Sequence, residues 1–183
     1  MIDKNFYKNH GPFKLSFLAT KLKLELIGDY NFKIFDIATL DLATGKEISF
    51  FHNSKYRKQF NETNAGAVII RKSDNLNLDK SKSYLLCEDP YLAMAEIVSL
   101  FYPDSIYPNF SFQDSEKKID SSIKCSSNVF IHKDSKIGKN CIIGSFVKIG
   151  PGVKIGNNCI IGDNVNIYFS KIANNVKIYN GVK

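Results

Sequence analysis

Few side chains in this 183-residue chain have types and spacing that suit chemistry, and Phe50, Asn53 and Tyr56 are the most suggestive. They lie three apart in the stretch Ile48-Ser-Phe-Phe-His-Asn-Ser-Lys-Tyr56. Two aromatic faces can sandwich a flat base, and an amide's paired donor and acceptor match the edge of uracil. The same spacing has a structural reading, in which Asn53 caps a helix, Tyr56 and Phe60 pack on it, and Phe50 ends a strand. Spacing alone leaves both open. The histidines His10, His52 and His132 are scattered along the chain. A zinc site takes about three convergent His or Cys ligands, so no metal centre is expected, and no other cofactor is implied. Cys87, Cys125, Cys141 and Cys159 show no C-x-x-C spacing and read as reduced thiols.

The elements that must position these residues fall into two kinds. From Ile119 an aliphatic residue returns every six positions, at Ile131, Ile137, Ile143, Ile149, Ile155, Ile161 and Ile167, with Cys125 filling the gap. A second series follows through Ile123, Val129, Ser135, Cys141, Val147, Val153, Cys159 and Val165. Asn128, Asp134, Asn140, Gly152, Asn158 and Asn164 hold the turn between them, and glycine follows the leading aliphatic from Gly138 to Gly162. A period of six is neither helical nor alternating, and it reads as a parallel β-helix. Such hexads are assigned the left-handed form, three to a coil, although that hand departs from the usual crossover rule. Stacked strands then lie about 4.8 Å apart, and Cys141 and Cys159 stack inward as small apolar fillers. His132 takes the place of a glycine and is expected at a corner, in solvent. After Ile167 the next aliphatics are Ile172 and Ile178, so one hexad is a residue short, with Tyr168 and Tyr179 in place of glycine. Such a coil marks a loop or ligand wall, or else a harmless deletion. The repeat reaches Lys183 without a cap, so the chain is expected to be part of a longer polypeptide.

The front reads as an α/β unit. Ser16 is expected to cap a helix with Leu15, Leu18, Leu22 and Leu26 on its apolar face, closed by Gly28. Ile34–Leu40 and Glu47–Phe51 read as strands around a Thr44-Gly45 turn, and Ser54–Glu62 as a helix capped by Asn53 or Ser54. Ala67–Ile70 and Tyr84–Cys87 are apolar runs of the kind a sheet buries on both faces. Behind Pro90, the spacing of Tyr91, Met94, Ala95, Val98, Phe101 and Tyr102 predicts a one-faced helix. The expected organisation is an α/β domain over 1–102, a linker over 103–118 and a left-handed β-helix over 119–183.

Charge divides along the same line. Residues 1–118 carry sixteen basic and fifteen acidic side chains, whereas 119–183 carry nine lysines against three aspartates. Such a field suits an acidic partner, and it equally keeps exposed β edges soluble. Nucleic acid is not the expected partner, because the lysines lack interleaved aromatics and arginines. No apolar run reaches the ~18 residues of a membrane span. The opening residues lack a secretory signal's apolar segment, so a cytoplasmic address is expected.

Hexapeptide folds mostly host acyl transfer, which needs a base for the amine proton and donors for the oxyanion. No histidine stands beside a carboxylate in a recognisable motif, and no catalytic residue is assigned. Four stretches nevertheless resemble the front of the UDP-3-O-(3-hydroxyacyl)glucosamine N-acyltransferase family of lipid A synthesis. They are Phe35-Asp-Ile-Ala-Thr-Leu40, Ile48–Tyr56, Thr63-Asn-Ala-Gly-Ala-Val-Ile-Ile70 and Asp89-Pro-Tyr-Leu-Ala-Met-Ala95, in the family's order and followed by hexads. The resemblance implies a uridine-recognition domain, with Phe50 and Tyr56 stacking on uracil and Asn53 hydrogen-bonding it. Ser54 stands where the family usually has proline. The resemblance also implies a homotrimer that takes a 3-hydroxyacyl chain from acyl carrier protein and places it on the 2-amino group of a UDP-3-O-acyl-glucosamine. The family's catalytic histidine lies in later coils, beyond Lys183. The alternative is a non-catalytic fragment that binds UDP-sugar and trimerises.

Overall fold

The computed structural model describes residues 3–74, 78–105 and 119–183. They form two compact units, one of Tyr7–Tyr107 and one of Asp3–Phe6 with Pro108–Lys183. Most of the expected linker, from 106 to 118, lies outside the described residues, and Pro103–Ser105 is a 3-10 turn.

In the first unit the strands are β1 (Phe13–Lys14), β2 (Glu25–Ile27), β3 (Lys33–Ile34), β4 (Asp36–Ile37), β5 (Glu47–Phe50), β6 (Ala67–Arg71) and β7 (Ser83–Cys87). Its helices are α1 (Leu15–Leu22), α2 (Arg57–Glu62) and α3 (Pro90–Phe101). The main sheet runs β2-β7-β6-β5-β4, parallel except for the edge strand β2. The apolar runs at its centre are buried on both faces by strict alternation. Ala67, Ile69, Leu85 and Cys87 meet Leu15 and Leu18 of α1 and Met94, Ile97 and Phe101 of α3. Val68, Ile70, Tyr84 and Leu86 meet Leu40, Phe51 and the half-buried Phe60 on the opposite face. Each fully buried aliphatic contributes roughly 1.5–3 kcal/mol.

Two helices differ from their expected form. Helix α1 begins at Leu15 with no side-chain cap, so Ser16 lies inside it, and it ends where Lys23 turns left-handed (φ 56°). Leu26 is therefore not on its face but in β2, where pairing with Leu85 replaces a further helical turn. Gly28 follows β2 rather than the helix, and a Cβ there would meet Ser83. Helix α3 buries Pro90, Ala93, Met94, Ile97 and Phe101, while Tyr91 is 65% exposed. Spacings of three and four occur on both faces here, so periodicity set the helix but not which way it turns.

The second unit is a three-sided parallel β-helix built from two-residue strands. These are β8 (Lys124–Cys125), β9 (Phe130–Ile131), β10 (Lys136–Ile137), β11 (Ile142–Ile143), β12 (Lys148–Ile149), β13 (Lys154–Ile155), β14 (Ile160–Ile161), β15 (Asn166–Ile167), β16 (Lys171–Ile172) and β17 (Lys177–Ile178). The three sheets are β17-β14-β11-β8, β15-β12-β9 and β10-β13-β16. Ile143 stacks on Ile161, eighteen residues on, but Ile161 stacks on Ile178, seventeen on, because of the short hexad. Cys141 and Cys159 are fully buried one coil apart.

The hexad's small residues have physical causes. Asn128, Asn140, Asn158, Asn164 and Asn175 hold φ between 56° and 61°, a region that Asn tolerates better than most side chains. Asn158 Nδ2 donates to Asn175 Oδ1 at 3.1 Å and continues the ladder from Asn140 at 3.4 Å. A Cβ on Gly156 would strike Asn174, which folds inward to accept the Asn157 N–H at 2.8 Å. Asp134 is not among the left-handed residues, whereas Phe146 is, at φ 58°.

Residues Asp3–Phe6 pack on the coil that is one residue short. Phe6 meets Phe169 edge-on at 6.3 Å, and Lys171 pairs with Asp3. The irregular coil is therefore covered in part by Asp3–Phe6.

Candidate functional site

Strands β5, β6 and β7 are parallel, so their carboxyl ends open on one edge of the sheet. Ligands of open α/β sheets bind at that edge. Phe50 ends β5, with Phe51, His52 and Asn53 following, while Arg71 ends β6 and Asp89 follows β7. The side chains flanking the edge are anchored from below. Phe51 is buried and stacks on Phe60 at 4.7 Å, with the Arg57 guanidinium 4.4 Å over its ring and held by Asp74 at 3.2 Å.

Asn53 caps the 3-10 turn Ser54–Tyr56, its Oδ1 accepting the Lys55 N–H at 2.9 Å. The structural role read from spacing is thus present. Its amide nitrogen has no hydrogen-bond partner among the described residues and remains a donor. Tyr56 ends that turn and is 54% exposed. Phe50 is half-buried and meets Tyr91 edge-to-face at 5.8 Å. No ring contact joins Phe50 to Tyr56 among the described residues.

Four residues that spacing did not single out stand beside them. The Tyr91 ring lies 6.1 Å from that of His52. Arg71 Nη2 donates to His52 Nδ1 at 3.3 Å, and Asp89 Oδ1 is 3.9 Å from the same nitrogen. Asp89 caps α3 by accepting the N–H groups of Tyr91 and Leu92 at 2.9 and 3.3 Å. The sequence signal that marks them is the position just after each parallel strand, which needs the strand order rather than any motif. Below the edge, burial and then the charges of Asp89 and Glu88 push the Cys87 thiol up to about 11, which disfavours the reactive thiolate.

The sequence shows no histidine–carboxylate motif, yet His10 lies 3.6 Å from Asp104, His52 3.9 Å from Asp89 and His132 3.7 Å from Asp134. Two of these partners are distant in the chain, and only folding brings them close. His132 is also not a solvated corner residue. Its side chain is 16% exposed, and Nδ1 accepts the Asp134 N–H at 3.2 Å, which folds the ring onto the turn. Among the described residues no helix is long and apolar enough to cross a membrane.

An α/β unit whose parallel strands end on one sheet edge, followed by hexapeptide coils, defines the class as a hexapeptide-repeat protein with a preceding α/β domain. Residues 134–169 match the bacterial transferase hexapeptide repeat, which is the left-handed parallel β-helix. Residues 31–100, which include the whole sheet edge, match the family described as UDP-3-O-(3-hydroxymyristoyl) glucosamine N-acyltransferase. The match to this family's domain is thus followed in the chain by a match to hexapeptide coils. Similar proteins bear the name UDP-3-O-acylglucosamine N-acyltransferase. That of Acinetobacter baylyi is 30% identical over 72% of this chain and 36% of its own length. That of Helicobacter pylori is 33% identical over 71% of this chain and 38% of its own length. A Francisella tularensis relative is 42% identical over 49% of this chain and 26% of its own length. The matched part of the chain thus spans only between 26% and 38% of the length of these three relatives.

Proposed function

We propose that this chain binds the uridine diphosphate part of a UDP-3-O-acyl-glucosamine and serves N-acyl transfer to its 2-amino group. The observation that carries the reading is that Phe50 ends β5 at the carboxyl edge of the sheet and that Asn53 and the exposed Tyr56 follow it in the next turn, within the residues that match the family. Uracil would stack on Phe50 and Tyr56, and the free amide N–H of Asn53 would donate to a uracil carbonyl. The donor would be a 3-hydroxyacyl chain on acyl carrier protein, an acidic partner suited to the excess of lysines in 119–183. Ile142, Ile160 and Phe146 are large apolar side chains turned outward on the β-helix, 45%, 40% and 54% exposed. They support assembly with further copies as a homotrimer. The site of action would be the cytoplasm.

A second reading, binding and assembly without chemistry, is favoured by His132. It is the single histidine of residues 119–183. Its Nδ1 is taken by the Asp134 amide, which makes Nε2 a donor rather than a base. Isothermal titration with UDP-N-acetylglucosamine tests the shared part. Wild type is expected to bind and Tyr56→Ala to lose about tenfold or more, the value of a lost stacking contact. Equal heats for the two proteins would remove Tyr56 from the site. Mass spectrometry of UDP-3-O-acyl-glucosamine incubated with 3-hydroxyacyl carrier protein separates the two readings.

A further inference from the structure

We propose that Arg71 and His52 form the anion-holding half of the nucleotide site and take the diphosphate of the bound uridine diphosphate. The inference rests on the uridine reading above. Arg71 is one of only two arginines in the chain. The other, Arg57, is spent on Asp74 and on the faces of Phe51 and Phe60. Arg71, by contrast, has no carboxylate within ion-pair distance among the described residues, although it is only partly exposed at the end of β6. Its described side-chain contact is the ring of His52, at 3.3 Å. A half-buried guanidinium without a counter-charge is costly unless an anion completes it.

The hydrogen bond also settles what His52 presents. A guanidinium only donates, so Nδ1 of His52 is the acceptor and the proton of the neutral ring sits on Nε2. Two kinds of donor, a guanidinium and an imidazole N–H, therefore meet at one edge. The nearby carboxylate of Asp89 has its Oδ1 engaged by the N–H groups of Tyr91 and Leu92 at the start of α3. His52 in turn leans on Tyr91, whose ring touches Phe50. The anion donors and one of the two proposed base-stacking rings thus belong to a single chain of contacts, as a nucleotide with adjoining phosphates requires. Arginine suits this place better than lysine because its planar fork meets phosphate oxygens two at a time.

Titration calorimetry with uridine and with UDP, on wild type and on Arg71→Gln, tests the assignment. Wild type is expected to bind UDP at least tenfold tighter than uridine, with an advantage that falls as salt rises. Arg71→Gln is expected to weaken UDP by about tenfold to a hundredfold, the range for hydrogen bonds to charged groups. Its uridine affinity should stay within about twofold of wild type, and its thermal midpoint should be unchanged. His52→Ala should weaken UDP by a smaller factor of about three to ten. Equal affinity of wild type for uridine and UDP would overturn the inference while leaving the uracil site intact. So would an equal loss of both ligands in Arg71→Gln, which would make Arg71 merely structural. Absence of uridine binding by wild type would instead sink the uridine reading on which the inference stands.

Discussion

Lys171, on the coil that is one residue short, forms an ion pair with Asp3 near the start of the chain. The pair closes a small seat. Lys171 Nζ also stands 5.7 Å over the Phe6 ring, and Phe6 packs edge-on against Phe169. Asn5 lies so close to Gly152 that a Cβ there would overlap its carbonyl oxygen. The hydrogen bond from Lys171, and then those from Asn5, hold the Asp3 carboxyl well below the usual carboxylate range. The shortened hexad puts Phe169 at a left-handed corner, φ 49°, where other coils use mostly Asn or Gly. Such a conformation costs a bulky side chain about 1–2 kcal/mol, and docking of Phe6 offsets it.

Phe6→Ala should therefore destabilise the β-helix unit by about 1–2 kcal/mol, through the lost ring pair and buried area. Urea melts followed by circular dichroism read the change. If Phe6→Ala leaves the midpoint where it was, Asp3–Phe6 contributes nothing to the coil it covers.

The four thiols should separate cleanly by access. Cys141 and Cys159 fill the β-helix interior, and Cys87 is buried in the sheet with its thiol pushed up to about 11. Cys125 occupies an interior hexad position, yet it is exposed on β8, the outermost strand of its sheet among the described residues. A thiol reagent applied to the native protein should modify one cysteine quickly, and Cys125→Ser should abolish that fast phase. Fast modification of Cys141 or Cys159 would refute the stacking register.

How much of this was legible in the sequence depended on the range of the interactions involved. The hexads were legible because each coil repeats the same local demands, from the left-handed Asn158 to Gly156 beneath Asn174. Strands β6 and β7 were legible because a sheet buried on both faces needs unbroken apolar runs. The phase of α3 was not, since Ile97 and Val98 offer equally apolar stripes and only the sheet chooses between them. The same limit hid part of the site edge. Phe50, Asn53 and Tyr56 sit within one short stretch, whereas Arg71, Asp89 and Tyr91 reach His52 only because β5, β6 and β7 run parallel. The seat for Phe6 was hidden for the same reason, although the missing residue after Ile167 did mark its place.

Tyr102 carries the last prediction. It is 3% exposed, its hydroxyl donates to Asp36 Oδ1, and it accepts the Asn9 Nδ2–H at 3.1 Å. Burial, and then the hydrogen bond and charge of Asp36, push its hydroxyl up to about 12, against about 10 for an unperturbed tyrosine. Folding thus favours the neutral phenol. The stability this contributes is complete below about pH 10, where the unfolded chain's tyrosine is also neutral, and it drains away as pH rises to about 12. Tyr102→Phe lacks the titrating group. It should start about 1 kcal/mol less stable at neutral pH, because Asp36 and Asn9 each lose a hydrogen-bond partner. Between about pH 10 and 12 its urea midpoint should then fall less steeply than that of wild type. Some slope will remain in both proteins, since burial also raises Tyr84 and Tyr168. The difference between the two curves isolates Tyr102, and parallel curves through that window would show that its hydroxyl is not held neutral by burial and Asp36.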